Sequence, residues 1–348
     1  MKYQPLTRKE IISVIEGKGI ATRIPIMLQY STHEEQFGDR KEVVTEIKDS
    51  YPEDVQIIRI NMPEMFDAPK NEPEYRWVNF DNPYKDQVVG IDAQVALKDW
   101  ENFDEILKDF PDPNYEGLFC QNPEDDGRYR LVNWWNLLFE RHWKFRGMTD
   151  ALMDFYIAPN EVHRLYRAVT DFYLVVIERA KKELNADGIF VSDDLGTQNS
   201  SFFAPEIFDE FFKPYYKEII EKAHSLGMHF WLHTCGNVEI LLPKFVEIGL
   251  DVIHPIQKYT MDEKEVALQY GNDICIWAGF DVQQIIPWGT SDEVRQEVRY
   301  LMETYYRQDG RFMFTAGNAI NGDCRLDSLE ALYDESFKYG SLISRHND

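Results

Sequence analysis

Eight short runs of apolar, β-branched and aromatic residues recur along the chain, and most are followed by a stretch with helical spacing. This alternation predicts a parallel sheet, because a helix must carry the chain back before the next parallel strand begins. Eight such units in 348 residues favour a closed (β/α)8 TIM barrel over an open doubly wound sheet. The predicted strands are 23–28, 55–60, 131–135, 188–192, 228–233, 251–255, 273–279 and 311–317.

The alternation fails between residues 61 and 130, a stretch rich in Pro, Asp, Asn and Tyr. We expect a loop-rich insertion with a hairpin after the second strand, within a single domain that spans residues 1–348. Two helix starts are predicted farther along, at Pro159 and at a capping Ser291.

The charge balance and the hydropathy pattern exclude several classes of protein. A formal net charge of −24 repels nucleic-acid phosphates and anionic lipid, so we expect neither as a partner. No apolar run approaches the roughly 20 residues of a membrane span, and the N-terminus has no signal-peptide core. We therefore expect a cytoplasmic protein. No predicted strand leads into a glycine-rich nucleotide-binding motif.

Polar and aromatic side chains follow nearly every predicted strand. In a TIM barrel the carboxyl ends of all eight strands meet at one face, where catalytic groups lie. We therefore expect one site at this mouth, drawn from Gln29, Tyr30, Trp134, Trp135, Asn136, Asp193, Asp194, His233, Cys235, His254, Gln257, Asp281, Asn318 and Cys324.

His233 and Cys235 form the sharpest pair in this set. Residues two apart on a strand point to the same face, so an imidazole and a thiolate can reach one ion. Cys324 follows the last strand, and three nitrogen and sulfur ligands with one open position are typical of catalytic zinc. With 8 histidines and 4 cysteines in the chain, about 0.1 His-x-Cys pairs are expected by chance, so the pair alone is a weak signal.

The remaining candidates have competing interpretations. One of the adjacent carboxylates Asp193 and Asp194 can face the mouth as an acid, base or substrate ligand, and helix capping is the alternative. Trp134 and Trp135 either contact substrate or pack in the core. We expect substrate contacts from Trp134, Trp135, Gln257 and Asn318.

Four longer segments carry a resemblance to a known family. Taken together, they resemble the uroporphyrinogen decarboxylase superfamily, whose fold is a (β/α)8 barrel. The segments are residues 139–156, 192–216, 233–257 (HTCGNVEILLPKFVEIGLDVIHPIQ) and 317–335 (GNAINGDCRLDSLEALYDE).

The superfamily contains two chemistries, and the N-terminal region separates them. Its decarboxylases are metal-free and bind a porphyrinogen with many carboxylates through N-terminal arginines. The corresponding residues 29–40 hold only Arg40 and are interrupted by Glu34 and Glu35. This departure argues against a polyanionic substrate.

The second branch contains zinc methyltransferases that work with corrinoid proteins, and the chain looks similar to its methylcobamide:coenzyme M members. That resemblance implies Zn²⁺ held by His233, Cys235 and Cys324. It also implies a small methyl donor or acceptor, a corrinoid carried by a partner protein, and a homodimer. The alternatives are a metal-free carboxy-lyase of the decarboxylase type and a non-catalytic barrel that serves binding or assembly.

Overall fold

Eight parallel strands form the centre of the protein in a computed structural model, which describes residues 2–85, 87, 90 and 94–344. Each strand pairs with the next in chain order from β2 to β8, and β8 pairs with β1. The strands are β1 (Ile26–Met27), β2 (Val55–Arg59), β3 (Tyr129–Trp134), β4 (Gly188–Ser192), β5 (His229–His233), β6 (Val252–His254), β7 (Cys275–Phe280) and β8 (Phe312–Ala316).

The sheet is a nearly closed barrel. β1 and β2 are the two ends of the strand order, and Asp54 joins them. Its backbone N–H donates to the Ile26 carbonyl at 3.4 Å, and its buried carboxylate accepts the Ile26 N–H at 2.7 Å and pairs with Arg23 at 2.5 Å. The architecture is the (β/α)8 TIM barrel that the alternation predicts, and each predicted strand overlaps an observed one.

The register of the strands aligns the residues that end them. β4 pairs with β5 from Gly188 opposite His229 to Ser192 opposite His233, and β6 places His254 opposite His233. Because side chains alternate between the two faces of a strand, one residue in two fills the barrel interior. The interior cluster includes Val55, Leu131, Phe190, Trp231, Val252, Trp277 and Met313.

Helices surround the barrel and pack their apolar faces on its outer surface. In chain order they are α1 (Arg8–Ile15), α2 (Lys41–Asp49), α3 (Phe103–Lys108), α4 (Phe139–Arg146), α5 (Met148–Ile157), α6 (Pro159–Leu184), α7 (Pro205–Ile207), α8 (Lys213–Ser225), α9 (Leu242–Glu247), α10 (Glu263–Tyr270), α11 (Ile285–Trp288), α12 (Ser291–Tyr305) and α13 (Leu326–Ile343). No helix in the described part of the chain is both long and apolar enough to span a bilayer.

Helix starts follow local chemistry. Pro159 is the first residue of α6, as predicted, where its missing N–H costs nothing. The cap of α12 differs from the prediction by one residue. Thr290, rather than Ser291, accepts the Glu293 N–H, and the Glu293 carboxylate accepts the Thr290 N–H in return, which forms a capping box.

The described residues of the stretch 61–130 contain α3 and two short 3₁₀ turns, Trp100–Asn102 and Glu116–Phe119. Its described residues form an isolated bridge between Glu64 and Arg76 and no hairpin. Part of the stretch that we expected to hold one, residues 86, 88–89 and 91–93, lies outside the described residues.

A buried ion pair fastens this stretch to the barrel. Arg146 donates to the Leu97 carbonyl at 2.7 Å, and its guanidinium pairs with Asp154 at 2.7 Å. Asp154 also accepts the Trp100 indole N–H at 3.0 Å. The insertion is thus held over the barrel by contacts with α4 and α5.

Candidate functional site

A cavity of about 1020 Å³ opens at the carboxyl ends of the strands, and we call it the mouth cavity. Its walls come from the strand ends of the barrel, from Ile60 just after β2, and from residues of the insertion between Asn61 and Pro69. Aromatic rings supply much of its surface, namely Tyr30, Trp134, Trp135, Trp143, Phe190 and Trp277. Its volume lies at the upper end of the range for small-molecule sites.

Asp194, His233 and Cys235 place an oxygen, a nitrogen and a sulfur atom together in this cavity or at its edge. Their candidate ligand atoms all lie within 4.8 Å of one another. Cys235 Sγ is 3.2 Å from His233 Nε2, and that nitrogen is 3.6 Å from Asp194 Oδ1. In a tetrahedral zinc site two nitrogen or oxygen ligands are about 3.4 Å apart and a sulfur and a nitrogen ligand about 3.6 Å apart, so small shifts of these side chains would allow them to share a metal ion.

His254 fixes the orientation of the His233 ring. His254 Nε2 lies 3.0 Å from the Ala316 carbonyl, which can only accept, so this nitrogen carries the hydrogen. Burial lowers the pKa of His254 well below its ordinary value, which keeps the ring neutral. Its Nδ1 therefore accepts a hydrogen bond from His233 Nδ1 at 2.7 Å. The Nε2 lone pair of His233 is left facing Cys235 and Asp194.

Two glycines bring the loops after β4 and β5 into backbone contact. Gly236 has φ of +84°, and a Cβ there would lie 2.3 Å from the Gly196 carbonyl. A Cβ on Gly196 would lie 2.7 Å from the Asn237 nitrogen. Cys235 N–H also donates to Asp194 Oδ1 at 2.7 Å. This contact between the loops places Asp194 beside the His-x-Cys pair.

The two adjacent carboxylates have different surroundings. Asp193 is fully buried and accepts N–H groups from Leu138, Phe139 and Glu140 at the start of α4. It also accepts the Tyr216 hydroxyl at 2.8 Å, and burial raises its pKa to about 6. Asp193 thus stabilises the start of a helix and does not line the mouth cavity, whereas Asp194 does.

Glu140 is a further acidic group in the cavity wall. Its carboxyl group accepts a hydrogen bond from the Ser192 hydroxyl. Burial, together with the negative charge of Asp194, raises the pKa of Glu140 to about 8. The group therefore holds its proton at neutral pH.

The structure does not bring Cys324 into the group formed by Asp194, His233 and Cys235. Cys324 is buried at the start of α13, where its thiol donates to the Arg325 carbonyl at 3.2 Å. Arg40 Nη1 donates to the Cys324 carbonyl at 2.8 Å and holds this part of the loop against the barrel. The expected approach of Cys324 to the imidazole is therefore not observed.

Some of the predicted substrate contacts line the mouth cavity and one does not. Trp134, Trp135 and Asn318 line the mouth cavity, and Asn318 Nδ2 lies 3.8 Å from Cys235 Sγ, on the loop that also carries Cys324. Gln257 has a backbone role instead, because its side-chain oxygen accepts the Gly236 N–H at 2.7 Å.

Several residues of the cavity have no role that was predicted from the sequence, among them His254 and Arg59. His254 was placed near the mouth, and its register opposite His233 is the signal that would have paired the two rings. Arg59 ends β2, two residues after the inward-facing Ile57, and the same alternation would have placed its side chain in the mouth.

Comparisons with known proteins agree with this architecture. A methylated-thiol–coenzyme M methyltransferase of Methanosarcina mazei is 27% identical over 144 residues, which are 40% of this chain and 36% of the relative. The match thus spans about a third of the relative's length.

A solved methyltransferase structure shares the fold at low sequence identity. A methyltransferase from Methanosarcina mazei superposes with a TM-score of 0.58 at 13% identity, over 97% of this chain and 99% of that one. An intracellular xylanase from Thermoanaerobacterium saccharolyticum covers 92% of this chain and 90% of its own, but with a TM-score of 0.44 at 10% identity, too low to bear on the site.

The family model described as uroporphyrinogen decarboxylase (URO-D) matches residues 144–339, which is more than half of the chain. The matched region runs from α4 to α13 and includes Asp194, His233 and Cys235. The chain therefore belongs to the uroporphyrinogen decarboxylase (URO-D) family.

Proposed function

We propose that the protein is a zinc-dependent methyltransferase that moves a methyl group between a small molecule and a corrinoid carried by a partner protein. The observation that carries the proposal is the convergence of Asp194, His233 and Cys235 at the open end of the barrel. The matched methylated-thiol–coenzyme M methyltransferase supports it.

The donor set fits zinc. Carboxylate oxygen, imidazole nitrogen and thiolate sulfur are its usual protein ligands, and three of them with an open position are typical of catalytic rather than structural sites. We therefore propose Asp194 as the third ligand in the place that the sequence suggested for Cys324. Two anionic ligands and a neutral imidazole would balance the charge of the dication.

When bound there, zinc would supply Lewis acidity, which favours the thiolate form of a substrate thiol or polarises the oxygen of a methyl ether. Without a metal ion, burial raises the pKa of the Cys235 thiol, and His233 Nε2 accepts the thiol hydrogen. His254 holds that imidazole in the tautomer whose Nε2 can bind a metal ion. Glu140 keeps a protonated carboxyl group in the same wall.

The aromatic walls would exclude water from the reacting centre. Trp135 packs edge-on against the His233 ring, with centroids 5.6 Å apart, and is itself 41% exposed. A methyl group in transit would be shielded from solvent on that side.

A large partner can reach the mouth cavity because the cavity opens at the barrel face. Exposed apolar side chains follow three successive strands at this end: Ile240 after β5, Tyr259 after β6 and Trp288 after β7. Such side chains suit contact with a docked protein, and we propose a corrinoid protein as the partner.

Arg40 supports methyl transfer over decarboxylation of a porphyrinogen. Its guanidinium donates to the Gly322 and Cys324 carbonyls, so it is turned to the backbone of another loop rather than to a substrate. The segment in which the decarboxylases carry their arginines thus offers no cation to the cavity.

The proposal is tested on protein purified without chelators. We expect one zinc ion per chain by elemental analysis. We also expect formation of methylcob(III)alamin from cob(I)alamin, followed by its absorbance, with at least one substrate from a panel of methylated thiols, amines and ethers. Protein without bound zinc that also fails to bind added zinc would refute the metal centre, and activity that persists after zinc removal would refute its role.

A further inference from the structure

We propose that Arg59 binds an anionic group of the substrate, and that the substrate is a flat apolar molecule carrying that group at the end remote from Asp194, His233 and Cys235. The inference deepens the proposed function, because it names the class of molecule that the same cavity accepts. Its test measures binding alone and needs neither zinc nor a corrinoid.

Arg59 lies on the side of the mouth cavity that β2 forms. It is the last residue of β2, lines the cavity and is exposed to it. His233 ends β5 and Cys235 follows it, three strands away in the sheet order. A substrate that spans the mouth can therefore contact Arg59 at one end and the reacting centre at the other.

The guanidinium of Arg59 has no carboxylate partner within 4.0 Å among the described residues. Most arginines of this acidic chain do have one, such as Arg23 with Asp54 and Arg146 with Asp154. Arg59 instead stacks over the Tyr30 ring, with its central carbon 5.0 Å from the ring centroid. The guanidinium also lies in hydrogen-bonding range of the Tyr30 hydroxyl. Arginine has five N–H donors, so those not turned to Tyr30 can match a carboxylate or sulfonate.

The other basic side chains of the cavity, Lys144 and Arg141, are less suited than Arg59 to bind an anion. Lys144 lies within the electrostatic reach of Glu64, and burial lowers its pKa. Arg141 is buried over the Trp77 ring at 4.5 Å and donates weakly to the Tyr173 hydroxyl at 3.5 Å.

The acidic groups of the wall leave the charge of Arg59 without a close counterpart. Glu140 accepts the Ser192 hydroxyl, and Asp194 belongs to the proposed metal centre. Glu64 and Asp67 line the cavity from the insertion, and neither lies within 4.0 Å of the Arg59 nitrogens. An anionic group of a bound substrate would supply the counter-charge that Arg59 lacks.

Aromatic rings line the cavity between Arg59 and the group formed by Asp194, His233 and Cys235. Tyr30 packs against Phe190 with centroids 6.3 Å apart, and Phe190 against Trp135 at 5.6 Å. Trp135 in turn packs against His233 at 5.6 Å. Rings in this sequence of contacts favour a flat apolar body over a short aliphatic one.

An aromatic wall also suits a quaternary ammonium group, so the test includes a cation. Calorimetry would compare naphthoate, its neutral isostere naphthamide and a naphthyltrimethylammonium salt as probes. The proteins would be wild type, Arg59→Gln, Arg59→Lys and, as a matched control, Arg164→Gln on the outer helix α6. Thermal melting would verify that each variant is folded.

We expect wild type to bind naphthoate at least about tenfold more tightly than naphthamide, which is the usual gain from a hydrogen bond to a charged group. Arg59→Gln removes this preference and leaves the naphthamide affinity unchanged, Arg59→Lys retains part of it, and Arg164→Gln retains all of it. Equal affinities in wild type, no binding of naphthoate, tighter binding of the cation, or a preference that survives in Arg59→Gln would overturn the inference. None of these results depends on zinc content or methyl transfer, so the proposed function can fail separately.

Discussion

His233 Nδ1 lies 2.7 Å from His254 Nδ1, and only one of these two nitrogens carries the hydrogen. The Ala316 carbonyl decides which, because it accepts from His254 Nε2 and leaves His254 Nδ1 as an acceptor. A backbone carbonyl on β8 therefore sets the tautomer of a side chain on β5 through an intervening ring. The nitrogen that faces Cys235 and Asp194 is in consequence the unprotonated one.

Replacing His254 tests this arrangement. We expect His254→Phe to weaken zinc binding by about 10–100-fold, because the ring volume is kept while the acceptor for His233 is lost. His254→Gln can still accept through its side-chain oxygen and keeps more of the affinity. Competition with a chromophoric chelator measures both. An unchanged affinity in His254→Phe would show that the contact does not support metal binding, and His224→Gln, far along the surface of α8, is the control.

Serine substitutions distinguish which of Cys235 and Cys324 binds zinc. We expect Cys235→Ser to lose bound zinc, because its sulfur is within 3.2 Å of His233 Nε2. Cys324→Ser keeps the metal, because that thiol is directed to the Arg325 carbonyl. Elemental analysis of the two purified variants gives the answer, and loss of zinc in Cys324→Ser would instead favour the ligand set inferred from the sequence.

Substitutions of the adjacent residues Asp193 and Asp194 should have different effects, one on stability and the other on zinc binding. Asp193→Ala leaves three backbone N–H groups and the Tyr216 hydroxyl without an acceptor, and we expect a loss of about 3 kcal/mol of stability in urea denaturation. Asp194→Asn is expected to melt near wild type but to bind zinc weakly. If both variants lost only stability, Asp194 would have no role in metal binding.

The contact between the loops after β4 and β5 predicts the effect of one added methyl group. Gly236→Ala places a Cβ against the Gly196 carbonyl in a backbone conformation that alanine adopts poorly. We expect weaker zinc binding and a lower melting temperature. Gly227→Ala is a control for the backbone strain alone, because it also has positive φ but no atom within 4 Å of the added Cβ. Equal behaviour of the two variants would exclude a special role for the contact.

Asp154 predicts an acid-dependent loss of stability. Burial alone would raise its pKa, but hydrogen bonds from His142, Arg146 and Trp100 lower it to about 2, below the roughly 3.9 of an unfolded chain. Its contribution of about 2 kcal/mol is therefore complete above roughly pH 5 and declines as the pH falls toward 2. Denaturation of wild type and Asp154→Asn at several pH values should show a stability difference that narrows below about pH 4. A difference independent of pH would contradict the shift.

The barrel was accessible from the sequence because strands buried on both faces read as uninterrupted apolar runs. Gly188–Ser192 is observed with the predicted bounds, and the other strands differ at their ends, where hydrogen bonding rather than hydrophobicity decides. The missed cap at Thr290 is such a case, since threonine and serine are adjacent and both can cap a helix.

The site could be predicted from the sequence only in part. The spacing of His233 and Cys235 fixes their shared face through strand periodicity. The position of Cys324 depends on the path of a loop after β8, which Arg40 anchors from a remote part of the chain. Asp194 approaches because two glycines allow two loops to touch. Contacts of that kind have no local signature in the sequence.

The touching backbones at Gly196 and Gly236 have a kinetic consequence. A loop that moves to admit a ligand needs free space beside it. The loops after β4 and β5 are in backbone contact, so neither can move toward the other. We therefore expect ligands to enter and leave on the other side of the cavity, which residues of the insertion line. Exchange of bound molecules should accordingly be governed by residues 61–69, and the three donor atoms should stay in position throughout a turnover.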